Sequence, residues 1–270
     1  MTTKQITAIL SLSLRRLWRS KLVGACVVLG AIPVLIACLI VFTPHASYSY
    51  RDVAKVHDMF EIWLRTLFLQ FIVFFVGSIF GFGAVRQEMD DRTLHYLFLQ
   101  PVKRWVLVLG KLTAYLALAS GFCLASLWIC YLLMTLALFG PGVVMAELFA
   151  HGRFVVLLRE SLVLVLGLLA YGSIAMLMAS LFKSGFYALI LLAWETGLPY
   201  LPTTLKLWTV MHYLQSLLPE RPVGASRLFE LLGEPAPVWL CILVLIAVPS
   251  IFIALCALFF QRRECLYAET

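Results

Sequence analysis

The chain has 270 residues, of which 63% are hydrophobic and 13% are charged, and its mean hydropathy is +0.98. A soluble domain is about half apolar and about one quarter charged, so the composition excludes an ordinary soluble protein. The formal net charge of +7 comes without a groove-reading motif, which argues against nucleic acid as a partner. We therefore expect an all-α integral membrane protein surrounded by membrane lipid, with residues 1–270 forming a single transmembrane domain.

The first segment, residues 1–21, combines apolar residues at helical spacing with a basic end. The basic residues are Arg15, Arg16, Arg19 and Lys21. This pattern predicts an amphipathic helix that lies in the membrane interface ahead of the first span. A simple orientation signal is the alternative interpretation.

Six apolar stretches are long enough to cross the roughly 30 Å of hydrocarbon in a bilayer. They cover residues 22–42, 62–85, 112–139, 161–182, 186–208 and 238–260. If the N-terminus is inside, the inner segments carry most of the 21 Lys and Arg residues, as the positive-inside rule requires. We therefore expect a multi-pass protein with both termini in the cytoplasm. Residues 203–237 would form a long outer loop, and the sequence leaves open whether it re-enters the membrane.

A polar segment, residues 86–104, separates the second predicted span from the third. Its ionised groups cannot lie in hydrocarbon, and its basic residues favour the cytoplasmic side. Acidic residues at its start suit a helix N-terminus, and apolar residues follow on one face. Pro101 disfavours helix at the residue before it and ends the element. The pattern predicts a short cytoplasmic helix that contacts another protein.

The order of residues in this segment resembles the signature of ABC type-2 permeases, the membrane subunits of type V ABC exporters. The matching residues are Glu88, Thr93-Leu94, Leu97, Pro101-Val102, Arg104 and Gly110-Lys111. The chain departs from the family pattern at Arg92, where glycine is usual, and at Lys103, where serine is usual. Ala193-Trp194-Glu195 and the ending Phe260-Gln261-Arg262-Arg263 are also similar to parts of these permeases.

The resemblance implies a permease subunit of an ATP-driven exporter in the bacterial cytoplasmic (inner) membrane. Two permeases would form the pathway, and two copies of a separate ABC ATPase would dock on the polar segment, here called the coupling segment. The implied contact residues are Glu88, Asp91, Thr93, Leu94, Leu97, Phe98, Pro101 and Arg104. The chain has no G-x-x-x-x-G-K-[ST] loop, so we expect no enzyme activity and no cofactor in this chain, with ATP and Mg on the ATPase. The cargo, a sister permease and a soluble accessory partner stay open, and a plain charged loop is the alternative for the segment.

Glu195 follows nine apolar residues in the predicted fifth span, where an ionised side chain costs on the order of 3 kcal/mol. Such an acid is either a pathway or gate residue or a hydrogen-bonded packing contact, and the sequence does not separate the two. Pro199 and Pro202 are expected to kink this span.

The other patterns in the sequence give less evidence about function. His57 and Glu61, which we expect in the first outer loop, share a helical spacing but lack the third and fourth ligands that a metal site needs, so no metal is predicted. Gly77 and Gly81 predict close helix packing only. A secondary, ion-coupled transporter would need paired charges in the membrane, and Glu195 stands nearly alone. That class and a non-transporting membrane assembly factor are the alternative functions.

Overall fold

The computed structural model describes residues 3–42, 53–90, 104–150, 152–182, 185–197, 207–218 and 235–267. Within these ranges every regular element is a helix, so the predicted all-α class is confirmed. The elements in chain order are α1 (Thr3–Trp18), α2 (Lys21–Phe42), α3 (Val53–Trp63), a first π-helical segment (Leu64–Val73), α4 (Phe74–Asp90) and α5 (Arg104–Phe139). They continue with α6 (Pro141–Met145), a second π-helical segment (Ala146–Ala150), α7 (Arg153–Leu181), α8 (Tyr187–Gly197), α9 (Val210–Ser216) and α10 (Val238–Tyr267).

Five helices of the described chain are long and apolar enough to cross a membrane. They are Lys21–Phe42, Lys55–Gln87, Trp105–Leu136, Arg153–Leu181 and Val238–Phe260. The second of these runs without a break through α3, the first π-helical segment and α4, because Trp63 and Phe74 at the two junctions keep helical backbone angles. The chain is therefore an integral membrane protein whose predicted spans two and four begin earlier than the apolar patterns indicate.

The core of the molecule is the pair formed by α4 and α7. In the most apolar part of each of these two spans 72% of the residues are buried, against 22% for α2 and for α10. The two helices approach closely because Gly77 and Gly81 of α4 face α7. A Cβ atom on Gly81 would lie 2.7 Å from the carbonyl oxygen of Gly172 and 2.9 Å from Cβ of Ala175. The packing role predicted for this glycine pair is confirmed.

Helix α1 is amphipathic, as its sequence predicts. Ser13 and Leu17 are buried where α1 packs against α5, whereas Leu12 and Trp18 are each 57% exposed. The hydroxyl of Ser20 donates a hydrogen bond to the carbonyl oxygen of Leu17 (2.7 Å), which closes the turn between α1 and α2. The predicted interfacial segment is thus a helix followed directly by the first span.

The predicted fifth span is described only in part. Helix α8 covers its first half, and residues 198–206, with the kink predicted at Pro199 and Pro202, lie outside the described residues. Residues 207–208 form a turn and Thr209 is extended, so the helix of this span does not reach residue 208 as predicted. A crossing of the membrane by this segment stays a prediction.

The predicted loop 203–237 contains helix α9, whose residues Val210 to Leu214 are buried. Helix α9 packs against α7, α10 and the first π-helical segment. Part of this loop, residues 219–234, lies outside the described residues, and re-entry into the membrane stays a prediction.

Candidate functional site

A buried pair of opposite charges lies where α3 passes into the first π-helical segment. Glu61 and Arg65, four residues apart, form an ion pair with 2.8 Å between Arg65 Nη2 and Glu61 Oε1. Arg65 is 2% exposed, and its Nη1 also donates to the carbonyl oxygen of Gln215 at the end of α9 (3.2 Å). Arg65 therefore ties the first π-helical segment to a helix 150 residues further along the chain.

A second buried pair lies at the start of α7. Arg153 Nη2 donates to Glu160 Oε1 at 3.0 Å, and Glu160 is completely buried. The guanidinium of Arg153 lies 6.0 Å from the ring centre of Phe60 on α3 and 5.8 Å from that of Tyr131 on α5. Arg153 thus joins the ends of three helices, and aromatic faces of this kind attract a cation.

These four side chains, Glu61, Arg65, Arg153 and Glu160, form one arginine–glutamate cluster. Glu160 is within electrostatic range of Glu61 and Arg65 as well as of its own partner. The formal charges balance, which makes burial tolerable. Removing one partner of a buried ion pair typically costs about 3–5 kcal/mol, because the remaining charge is left uncompensated. The cluster thus joins α3, α7 and α9 through charged side chains at this end of the bundle.

The structure corrects the position predicted for His57 and Glu61. Both lie on α3 instead of in a loop, because the second span starts earlier than its apolar run. Glu61 is paired with Arg65, and His57 Nε2 lies 3.3 Å from the hydroxyl of Tyr131, on which its ring stacks. Both side chains therefore have partners within the bundle.

Glu195 forms a second buried site. It lies on α8, is 6% exposed, and accepts two backbone N–H bonds, from Val210 to Oε1 (3.1 Å) and from Met211 to Oε2 (3.2 Å). Tyr171 on α7 also interacts electrostatically with this carboxylate. The carboxylate thus caps the N-terminus of α9, where negative charge is favourable. This is the geometry of the packing alternative, and a role in the pathway stays a prediction.

Most of the coupling residues lie outside the described part of the chain, namely Asp91, Thr93, Leu94, Leu97, Phe98 and Pro101. Glu88 lies near the end of α4, and Arg104 is the first residue of α5. Gln87 of α4 and Lys111 of α5 line one small cavity together with residues of α1, so the two flanks of the segment meet at one end of the bundle. Gln87 is 26 residues from Glu61, about 39 Å along the continuous helix, so the arginine–glutamate cluster lies at the opposite end.

A comparison with models of protein families identifies the family of this chain. A family model described as ABC-2 family transporter protein matches residues 56–265, which is more than half of the chain. The chain belongs to the ABC-2 transporter family. The predicted resemblance is confirmed: the protein is a permease of an ABC transporter, a multi-pass membrane protein of a family that associates with an ABC ATPase. A comparison with curated proteins found no match.

The arginine–glutamate cluster of this ABC-2 permease was not predicted from the sequence. No role was expected for Arg65, Arg153 or Glu160 from the sequence. The available signal was weak: Glu61 and Arg65 are spaced by one helical turn, and Glu160 immediately precedes a long apolar run. Only the packing of α3, α5, α7 and α9 brings these charges together.

Proposed function

We propose that this ABC-2 permease is the membrane subunit of an ATP-driven exporter in the bacterial cytoplasmic membrane. Two permeases, identical or sisters, form the pathway, and two ATPase copies dock on the coupling segment. ATP and Mg are held by the ATPase, and the chain itself has no catalytic site. The observation that carries the proposal is the family match over residues 56–265, a range that includes the whole coupling segment.

The arrangement of α4 and α5 supports the docking site. Asp90 ends α4 and Arg104 begins α5, and Gln87 and Lys111 line one cavity, so the two flanks of the segment lie at one end of the bundle. Four basic residues of the α1–α2 junction lie at the same end. That charge supports a cytoplasmic location for this end under the positive-inside rule, and hence access to an ATPase.

The arginine–glutamate cluster lies at the other end of the bundle. It supports the proposal that helices move apart there. It is flanked by both π-helical segments, Leu64–Val73 and Ala146–Ala150. Such segments are rare and occur frequently at functional sites. In this proposal the paired charges hold the outer end closed until the ATPase drives the helices apart.

The coupling contact is tested by the double substitution Leu97→Asp and Phe98→Asp. One apolar anchor of a helix docked in a groove contributes about 2 kcal/mol or more, so the loss of even one anchor should weaken binding of the ATPase at least about thirtyfold. The measurement is the amount of ATPase that co-purifies with the tagged permease in mild detergent.

The matched control is the double substitution Leu207→Asp and Trp208→Asp. These neighbours are also apolar and are 48% and 75% exposed, but they lie before α9. The control should keep the ATPase. Full retention of the ATPase by the Leu97 and Phe98 variant, in a monodisperse preparation, would remove the docking proposal.

A further inference from the structure

A strongly basic cleft lies where α1 meets α2 and the end of α4. It has a volume of about 620 Å³ and is lined by Arg15, Arg16, Arg19, Ser20, Lys21 and Gln87. Binding sites for small molecules typically have volumes of about 300–1,000 Å³, so the cleft is large enough for a polar headgroup. Four of its six lining residues are cations, which selects an anion as the occupant.

The backbone holds these cations together. The turn that links α1 to α2 is fixed by a backbone bond from Ser20 to Leu17 (3.0 Å) and by one from Val23 to Ser20 (3.2 Å). Arg15 and Arg19 lie on either side of this turn's start and are both exposed, and Lys21 follows immediately. The guanidinium groups are therefore confined to one rim instead of being spread along an extended chain.

A fifth positive charge lies next to the cleft. Lys111 of α5 is 4% exposed and lines a small adjoining cavity with Arg16 and Gln87, which both also line the cleft. Lys111 thus places a fifth basic side chain beside the cleft.

The surroundings of the cleft favour a lipid headgroup over a soluble anion as its occupant. Trp18 and Leu12 are exposed on α1 beside the arginines, and the ring of Trp18 stacks on Phe122 of α5 at 6.0 Å. Lys21 is the first residue of a 22-residue apolar helix. Exposed tryptophan and basic side chains at the start of a span are typical of the level where headgroups lie.

We propose that the basic cleft binds the phosphodiester headgroup of an anionic phospholipid. The guanidinium forks of Arg15 and Arg19 are suited to bidentate contact with phosphate oxygens, and Lys21 adds a point charge. The acyl chains lie beside Trp18 and the apolar surface of α2. This site fixes the depth of α1, and it does not depend on the direction of transport or on the cargo.

The test compares dioleoylphosphatidylglycerol with dioleoylphosphatidylcholine on the purified full-length protein in neutral detergent, with native mass spectrometry to count bound lipids. The wild type should retain the anionic lipid preferentially. The triple substitution Arg15→Gln, Arg19→Gln and Lys21→Gln should lower that retention at least about tenfold, since each basic residue near an anionic surface contributes appreciably to binding. Arg159→Gln is the matched control, because Arg159 is also exposed but lies near the start of α7, at the other end of the bundle, and it should retain the lipid.

A second measurement keeps the test decisive if the triple variant folds poorly. In wild-type protein, brominated phosphatidylglycerol should quench the fluorescence of Trp18 more than brominated phosphatidylcholine does, and Trp18→Phe should abolish the difference. Equal quenching by the two lipids would overturn the proposal. So would unchanged retention of the anionic lipid by a folded triple variant, or full displacement of that lipid by inorganic phosphate. Loss of the ATPase from the triple variant with unchanged lipid retention would assign the cleft to protein docking instead.

Discussion

Arg153 and Glu160 form a buried ion pair across two turns of α7, with 3.0 Å between Nη2 and Oε1. Helical side chains lean toward the N-terminus, which directs Glu160 toward the start of the helix where Arg153 lies. The same guanidinium faces Phe60 and Tyr131, so the pair fixes the end of α7 against α3 and α5. It is one link between the second and fourth membrane spans, at the end of the bundle opposite Gln87 and Lys111.

Removing one charge of this pair should destabilise the fold more than removing both charges. Glu160→Leu leaves Arg153 uncompensated, and we expect a loss of about 3–5 kcal/mol. The double variant Arg153→Met and Glu160→Leu removes both charges and should recover most of that loss. The measurement is thermal unfolding in detergent, read as a double-mutant cycle.

Arg159→Gln is the neighbouring control for this cycle, because Arg159 is exposed and its loss should leave the midpoint unchanged. Additive effects of the two single substitutions at Arg153 and Glu160 would show that the ion pair does not couple the helices.

Substituting Gly81 should separate α4 from α7. In Gly81→Ala the added Cβ would lie 2.7 Å from a backbone oxygen of Gly172, which cannot move without the helix. Overpacking of this kind costs about 1–3 kcal/mol.

Gly24→Ala in α2 is the control for Gly81→Ala. No atom of the described residues lies within 4 Å of a Cβ built at Gly24, and alanine is the better helix former by about 1 kcal/mol. The midpoint of thermal unfolding should therefore fall in Gly81→Ala and rise in Gly24→Ala. A neutral effect of Gly81→Ala would contradict the close approach of α4 and α7.

Glu195 should behave as a helix cap. Glu195→Gln keeps one acceptor oxygen for the N–H groups of Val210 and Met211, so we expect a modest loss of about 1 kcal/mol and intact assembly. Glu195→Leu leaves both donors and the Tyr171 hydroxyl without the carboxylate, and it should lower the yield of folded complex more.

ATP turnover by the assembled complex distinguishes the two alternatives for Glu195, a helix cap or a pathway residue. Tyr171→Phe removes one partner of Glu195 and keeps the ring that packs edge-on against Phe74, so it should resemble Glu195→Gln in stability. Turnover that falls sharply in Glu195→Gln at an unchanged unfolding midpoint would assign Glu195 to the pathway instead.

The orientation of the chain is tested by cysteines at Ser226 and Asp91 in a background without the native cysteines. An impermeant thiol reagent added to intact cells should label a cysteine at position 226 and leave one at position 91 unlabelled. The reason is the excess of basic residues around the coupling segment. The reverse labelling pattern would place the coupling segment outside and would remove the docking proposal as well.

Much of the fold is predictable from the sequence because it depends on local properties. Apolar runs of sufficient length predict spans, and the glycine pair in α4 predicts close packing, whichever helix is the neighbour. The predicted fifth span shows the limit of this reasoning. Its apolar length suggested a helix to residue 208, but residues 207–208 form a turn and Thr209 is extended. Hydropathy measures length and does not register where the backbone stops being helical.

The sequence by itself determined the membrane class, the helical architecture and the family of this permease, because composition, apolar length and the coupling signature are read along the chain. Only the tertiary structure decided which buried charges meet. Arg65 reaches the carbonyl oxygen of Gln215, 150 residues away, and Glu195 caps α9 through the backbone of Val210 and Met211. A charge in a low-dielectric interior needs a partner, but the sequence does not say which one, since the partner is chosen by how the helices pack.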